Sequence, residues 1–191
     1  MNQSDSPPLP SSTDRWRTWP APAQIALRDR LRKEVTWRKR RLNEKHDAVR
    51  SLADFARQAW SILEPATALK WNWHHDAICE HLQAVTEGQI RDLLINVPPR
   101  CMKSLLTSII WPAWEWGPRN LPHTRWLTSS YAEALAIDHA VKTRQLIRSS
   151  WYQTRWGHVF SFVGDQNQKT QYENDKTGYR IVASVGGDPT G

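Results

Sequence analysis

Cysteine is scarce: two stand in 191 residues, Cys79 and Cys101. Two cannot build a disulfide framework, and both are expected as free thiols, as in a reducing compartment. Long apolar runs are missing too. No stretch approaches the roughly 20 residues that span a membrane, and the polar opening "MNQSDSPPLPSSTDRW" has no apolar signal-peptide core. These absences predict a cytoplasmic chain with no membrane partner. Acidic residues are in short supply at one end only. Residues 1–50 hold twelve Lys and Arg against six Asp and Glu, while the remainder holds fourteen against thirteen. The net charge of +7 is therefore an N-terminal property. Tryptophan, by contrast, is abundant: there are twelve, nine of them from Trp60 to Trp156. Most are expected to fill a core. Hydrophobic content of 39% and a length of 191 residues fit one globular domain of ordinary size.

Residues 1–22 are rich in Pro, Ser and Thr and are expected as a disordered arm. Residues 23–88 read as a helical, basic N-terminal region. Within it, 23–49 lacks Gly and Pro and reads as a charged helix with a thin apolar face: Ile25, Leu31, Val35, Leu42 and Val49. A helix this polar is either solvated or docks on something acidic such as DNA. Ser51 with Asp54 forms a capping-box pattern that opens a second helix, which Pro65 ends. "HHDAICEHLQAVTEG" is a third, with Gly88 as its cap. His74, His75, Cys79 and His81 on it are candidate metal ligands, or the plain face of a helix. The rings of "WNWHH" ahead of it are candidates for stacking on a base, or for the core.

At residue 89 the pattern changes. "DLLINV" (92–97) and "RWLTSSY" (125–131) read as strands buried on both faces. Residues 103–111 read as a helix that Pro112 kinks or ends, and 132–148 as another. "KTQYEN" and "GYRIVASV" read as a hairpin. Strand, helix, strand, helix predicts an α/β fold with a parallel sheet flanked by helices, residues 93–97 and 125–130 being neighbouring or near-neighbouring parallel strands.

Between the first strand and its helix lies "VPPRCMKS". The first turn of a helix leaves N–H groups unpaired and concentrates positive potential, so it suits phosphate. Lys103 adds a mobile cation for β- and γ-phosphates, and the Ser104 hydroxyl is placed to ligate Mg²⁺. The usual pattern, G-x-x-x-x-G-K-[ST], has glycines where this chain has Val97 and Met102. The alternative is a turn stiffened by two prolines, with an exposed lysine.

"INVPPRCMKSLLTSIIWPAWEWG" resembles the large terminase subunit of tailed bacteriophages, whose phosphate loop commonly reads Pro-Pro-Arg-x-x-Lys-Ser/Thr. The similarity continues through "SSYA", "RQLIRSSWYQTRWG", "DQNQKTQYEN" and "GYRIVASVGGDPTG", with "WNWHHDAICEHLQAVTEG" upstream, over roughly residues 55–191. The resemblance implies a P-loop NTPase core over 89–191, the ATPase domain of a motor that drives double-stranded DNA into procapsids. It implies ATP and Mg²⁺ held by Pro98, Pro99, Arg100, Cys101, Met102, Lys103, Ser104 and Leu105, with Mg²⁺ on Ser104. Arg100 would respond to the γ-phosphate, and Arg144 or Arg148 would act in trans across a ring of subunits. A small terminase subunit and a portal protein would be partners, in the bacterial host cytoplasm. In that family a Walker B strand and a nuclease domain follow, whereas this sequence ends at Gly191. The expectation is a fragment that binds nucleotide without turning it over. The other function class is a non-enzymatic prophage remnant or adaptor that works through its basic helix.

Overall fold

A computed structural model of the chain describes residues 19–164 and 170–184. Most of the expected arm, Asp165 and the run "GGDPTG" lie outside the described residues. The chain forms two compact units, Met1–Asn43 and Glu44–Gly191.

The helix expected over 23–49 is present as α1 (Ala21–Arg50), which runs through most of the first unit into the start of the second. Over residues 21–43 it buries no side chain. Leu31, Val35 and Leu42 are 48%, 50% and 67% exposed, so the thin apolar face covers no core. Local pairs support the helix instead. Arg38 Nε donates to Glu34 Oε1 at 2.7 Å one turn away, and the Arg41 guanidinium lies 4.6 Å from the Trp37 ring.

The second unit is built on short capped helices. Ser51 opens α2 (Leu52–Leu63) by accepting from the Asp54 N–H at 3.1 Å. The reciprocal half of the expected capping box is missing, because the Ser51 N–H already donates to the Asp47 carbonyl at 2.9 Å while the Asp54 carboxylate accepts from Arg57 Nη1 at 2.8 Å. Asn72 caps α3 (Trp73–Thr86), and His75 Nδ1 accepts the Asn72 N–H at 3.0 Å. Gly88, with φ of 73°, follows its end as expected.

Pro112 does not end the next helix. α4 (Lys103–Leu105), a π turn (Leu106–Ile110) and α5 (Trp111–Trp116) form one continuous run. Pro112 has no N–H with which to close the bond to the carbonyl of Ser108, and the run relieves this by widening just upstream. The Trp111 N–H reaches back five residues to the Leu106 carbonyl. The loosened carbonyls of Ser108 and Ile109 then face the Thr143 hydroxyl, each at 3.3 Å.

The sheet corrects the sequence-based topology. Among the described residues it has three strands, β1 (Trp126–Ser130), β2 (Gln171–Glu173) and β3 (Tyr179–Ser184), in the order β1-β3-β2. β1 and β3 are parallel, with Trp126 opposite Arg180, and β2 is antiparallel to β3, as the expected hairpin requires. Gly178 closes its turn, where a Cβ would collide with the Pro122 carbonyl. The fold is thus α/β, mostly helical, with a small mixed sheet rather than a parallel one. Residues 93–97 join no ladder among the described residues. Leu93, Ile95 and Val97 pack against the core while Leu94 is 93% exposed, so the run is half-buried and not buried on both faces. β1 alternates in the same way, with Leu127 65% exposed.

α6 (Glu133–Arg148) and α7 (Ser150–Trp156) connect β1 towards β2. α6 buries Ala136, Ala140, Leu146 and Ile147, but also His139 and Thr143. Ser149 caps α7 by accepting from the Tyr152 N–H at 3.2 Å. Most of the tryptophans serve the core as expected: Trp114, Trp116 and Trp156 are fully buried, and Trp71, Trp111, Trp126 and Trp151 pack against it. Trp116 meets Phe160 and Tyr172 edge-on, and Trp156 meets Phe55 in the same way.

One buried charge ties these layers together. Arg180 on β3 is 1% exposed, and its Nη1 donates to Thr143 Oγ1 at 2.8 Å. Its Nε and Nη2 have no hydrogen-bond partner among the described residues. The nearby Tyr172 hydroxyl favours the guanidinium charge without forming a hydrogen bond of ordinary geometry. Burial pulls the Arg180 pKa down. The chain from Arg180 through Thr143 to the π-turn carbonyls joins β3, α6 and the helical run that starts at Lys103.

Candidate functional site

Residues 98–99 are prolines, which lack N–H groups and stiffen the exit from the extended segment. The backbone then takes two unusual steps. Arg100 has φ of 66° and Met102 φ of 54°, both in the left-handed region that non-glycine residues rarely enter. Met102 is the N-cap of α4 and offers no side-chain cap. No backbone carbonyl among the described residues accepts from the N–H groups of Met102, Lys103 and Ser104. Left-handed steps that run into a helix start turn successive N–H groups towards a common concavity, the arrangement that binds anions.

This loop forms one wall of a pocket of about 560 Å³. All eight sequence-predicted contact residues, Pro98, Pro99, Arg100, Cys101, Met102, Lys103, Ser104 and Leu105, line it. Lys103, Ser104 and Arg100 are exposed there. Sequence reasoning missed the second wall, which α6 supplies through Leu135, Asp138, His139 and Lys142. Three permanent cations, Arg100, Lys103 and Lys142, face one carboxylate, Asp138, so the lining favours an anion. Burial holds the His139 pKa below its ordinary value, which keeps that imidazole neutral at pH 7. A second depression, along α1, mixes Asp29 and Glu34 with Arg30 and Lys33 and gives an anion no net field.

The other candidates do not join this pocket. Arg144 lies with its guanidinium 5.8 Å from the Tyr172 ring, and Arg148 stands 5.5 Å from Phe162. Trp71 and Trp73 are not among the lining residues. Trp71 stacks under Arg57 at 4.5 Å, and Trp73 is 75% exposed. The histidines and cysteine of α3 do not converge. His75 serves as a cap, His81 Nδ1 lies 2.7 Å from the Ala77 carbonyl, and Cys79 is buried with its thiol pushed up to about 12. Among the described residues no three His, Cys, Asp or Glu side chains gather to hold a metal. No described helix is long and apolar enough to cross a membrane.

Comparison with models of known families, with curated proteins and with solved structures finds no match to this chain.

Proposed function

We propose that residues 97–105 bind the phosphates of ATP, and that the chain carries ATPase-domain sequence of a DNA-packaging motor of the large-terminase kind. The backbone at Met102 carries the reading. Met102 occupies the place of the second glycine in the phosphate-loop pattern, and its φ of 54° is a conformation glycine favours. An L side chain there costs about 1–2 kcal/mol, so the demand comes from the loop rather than from the residue.

In this reading the N–H groups of Met102, Lys103 and Ser104 hold phosphate oxygens. Lys103 neutralises the β- and γ-phosphates, and Arg100 reaches the γ-phosphate with its two-pronged guanidinium. The exposed Ser104 hydroxyl fits a ligand of the Mg²⁺ that enters with the nucleotide. Nucleotide binding is the property assigned to these residues. The wider activity follows from the resemblance: ATP-driven packaging of double-stranded DNA in the host cytoplasm, with a small terminase subunit, a portal protein and ring neighbours, and Arg144 acting in trans. A second reading, a non-enzymatic adaptor or prophage remnant, is favoured by the exposure of the basic side chains of α1. ATP affinity that depends on Lys103 separates the two.

Competition against a fluorescent ATP analogue tests the reading. ATP and ADP should displace it and AMP should not, because the phosphates carry the recognition. AMP competing as well as ATP would show that the loop is not a phosphate site.

A further inference from the structure

Both walls of the pocket carry a lysine, and the two are held differently. No carboxylate among the described residues pairs with Lys103 on the loop. Lys142 on α6 is shared between two: its Nζ lies 3.4 Å from Asp138 Oδ2 and 4.0 Å from Glu64 Oε1, at the end of α2. A pair one helical turn apart is ordinary on a solvated helix. The second carboxylate, from another element, and the place of Lys142 in the pocket lining are not ordinary.

Exposed ion pairs of this length hold weakly, and the Lys142 side chain is 38% exposed. Its ammonium sits on a flexible four-carbon stem and can exchange partners without moving the backbone. Phosphate oxygens in a pocket that already holds two further cations form stronger charge-assisted contacts than two solvated carboxylates do.

Resting on the nucleotide reading of the loop, we propose that Lys142 is the phosphate-counting residue of this pocket. A nucleoside triphosphate draws its ammonium from Asp138 and Glu64 onto the terminal phosphate, and a diphosphate leaves it where it is. Lys103 then supplies affinity for any polyphosphate, and Lys142 joins Arg100 at the terminal phosphate to supply the preference for three phosphates over two. The exchange also breaks the tie between α6 and the end of α2, so the helical region registers which nucleotide is bound.

The full chain and its Lys142→Gln variant should be titrated by calorimetry with Mg-ATP, Mg-ADP and inorganic tripolyphosphate. The variant should lose tenfold or more for ATP and tripolyphosphate, about 1.4 kcal/mol, and less than threefold for ADP. Glu64→Gln, which removes a competitor for the ammonium, should raise ATP affinity severalfold. Equal losses for ATP and ADP would overturn the proposal. So would unchanged ATP affinity in Lys142→Gln while Lys103→Ala weakens it, and in that case the nucleotide reading survives. A parent chain that binds none of the three probes would overturn both.

Discussion

Replacing Thr143 with valine removes one hydroxyl from the core and almost no volume. Thr143 is 1% exposed, and its Oγ1 is the only hydrogen-bond acceptor for Arg180 among the described residues. That oxygen also donates, to the His139 carbonyl at 2.9 Å or to the π-turn carbonyls of Ser108 and Ile109 at 3.3 Å. Valine leaves Arg180 buried with all of its nitrogens unpartnered and leaves the loosened carbonyls unpaired. A hydrogen bond to a charged group contributes about 1.5–3 kcal/mol. Thr143→Val should therefore destabilise the chain by about 2–3 kcal/mol, or lower the melting temperature by roughly 4–12 °C for a unit of this size. Thr143→Ser keeps the hydroxyl and loses one methyl group, so its cost should stay near 1 kcal/mol. Thermal unfolding followed by circular dichroism measures both. Adding Arg180→Met to Thr143→Val should recover most of the loss, because an apolar side chain needs no partner there. Equal melting temperatures for the Val and Ser variants would refute the role given to this hydrogen bond.

Other outcomes follow from the same packing. Met102→Gly should leave stability within about 1 kcal/mol of the parent, since relief of the left-handed strain offsets glycine's greater freedom when unfolded. Met102→Val should lower both stability and ATP affinity, because a β-branched residue fits poorly at φ of 54°. Urea titration and nucleotide titration check the pair. Glu115 is 6% exposed and accepts from Thr86 Oγ1 at 2.7 Å. Burial raises its pKa above the ordinary 4.5, opposed by hydrogen bonds from Thr86 and Thr124 and by the nearby Arg119 and His123. The folded chain thus holds this proton more tightly than the unfolded one. Its contribution is fully present below pH 4.5 and is lost as pH rises through the folded value. Glu115→Gln keeps the acceptor and removes the titration, so stability should gain more at pH 7 than at pH 4, as read from paired melts; an equal effect at both would contradict the burial argument.

Local signals were readable wherever one residue type settles the backbone. Ser51 and Gly88 mark helix ends because a hydroxyl accepts a free N–H and a glycine accepts positive φ at little cost. Residues 93–97 were misread because an apolar run has the same composition whether one face or both are covered. Only the partner strand decides, and the described residues supply none. α7 was missed although Ser149 caps it, since seven residues rich in aromatics carry little helical periodicity. The π turn was hidden because a proline announces a lost hydrogen bond but not how the chain makes room for the loss. At the site, the loop was legible because its residues are contiguous. Asp138, His139 and Lys142 come from a helix some 35 residues further on, and their spacing reads as a solvated pair beside a core histidine. Arg180 sits in an otherwise apolar strand, and nothing local shows that Thr143 would meet it.

The left-handed loop and its lysine either hold phosphate or form only a turn. Calorimetric titration of Mg-ATP into the parent chain and into Lys103→Ala tests this most directly. Lys103 is exposed and pairs with no carboxylate among the described residues, so the substitution should leave the fold intact. Loss of a charge-assisted phosphate contact, worth about 1.5–3 kcal/mol, predicts a roughly tenfold to hundredfold weaker affinity for the variant. Equal affinities in two equally stable proteins, or no binding by the parent, would mean that residues 97–105 are only a turn.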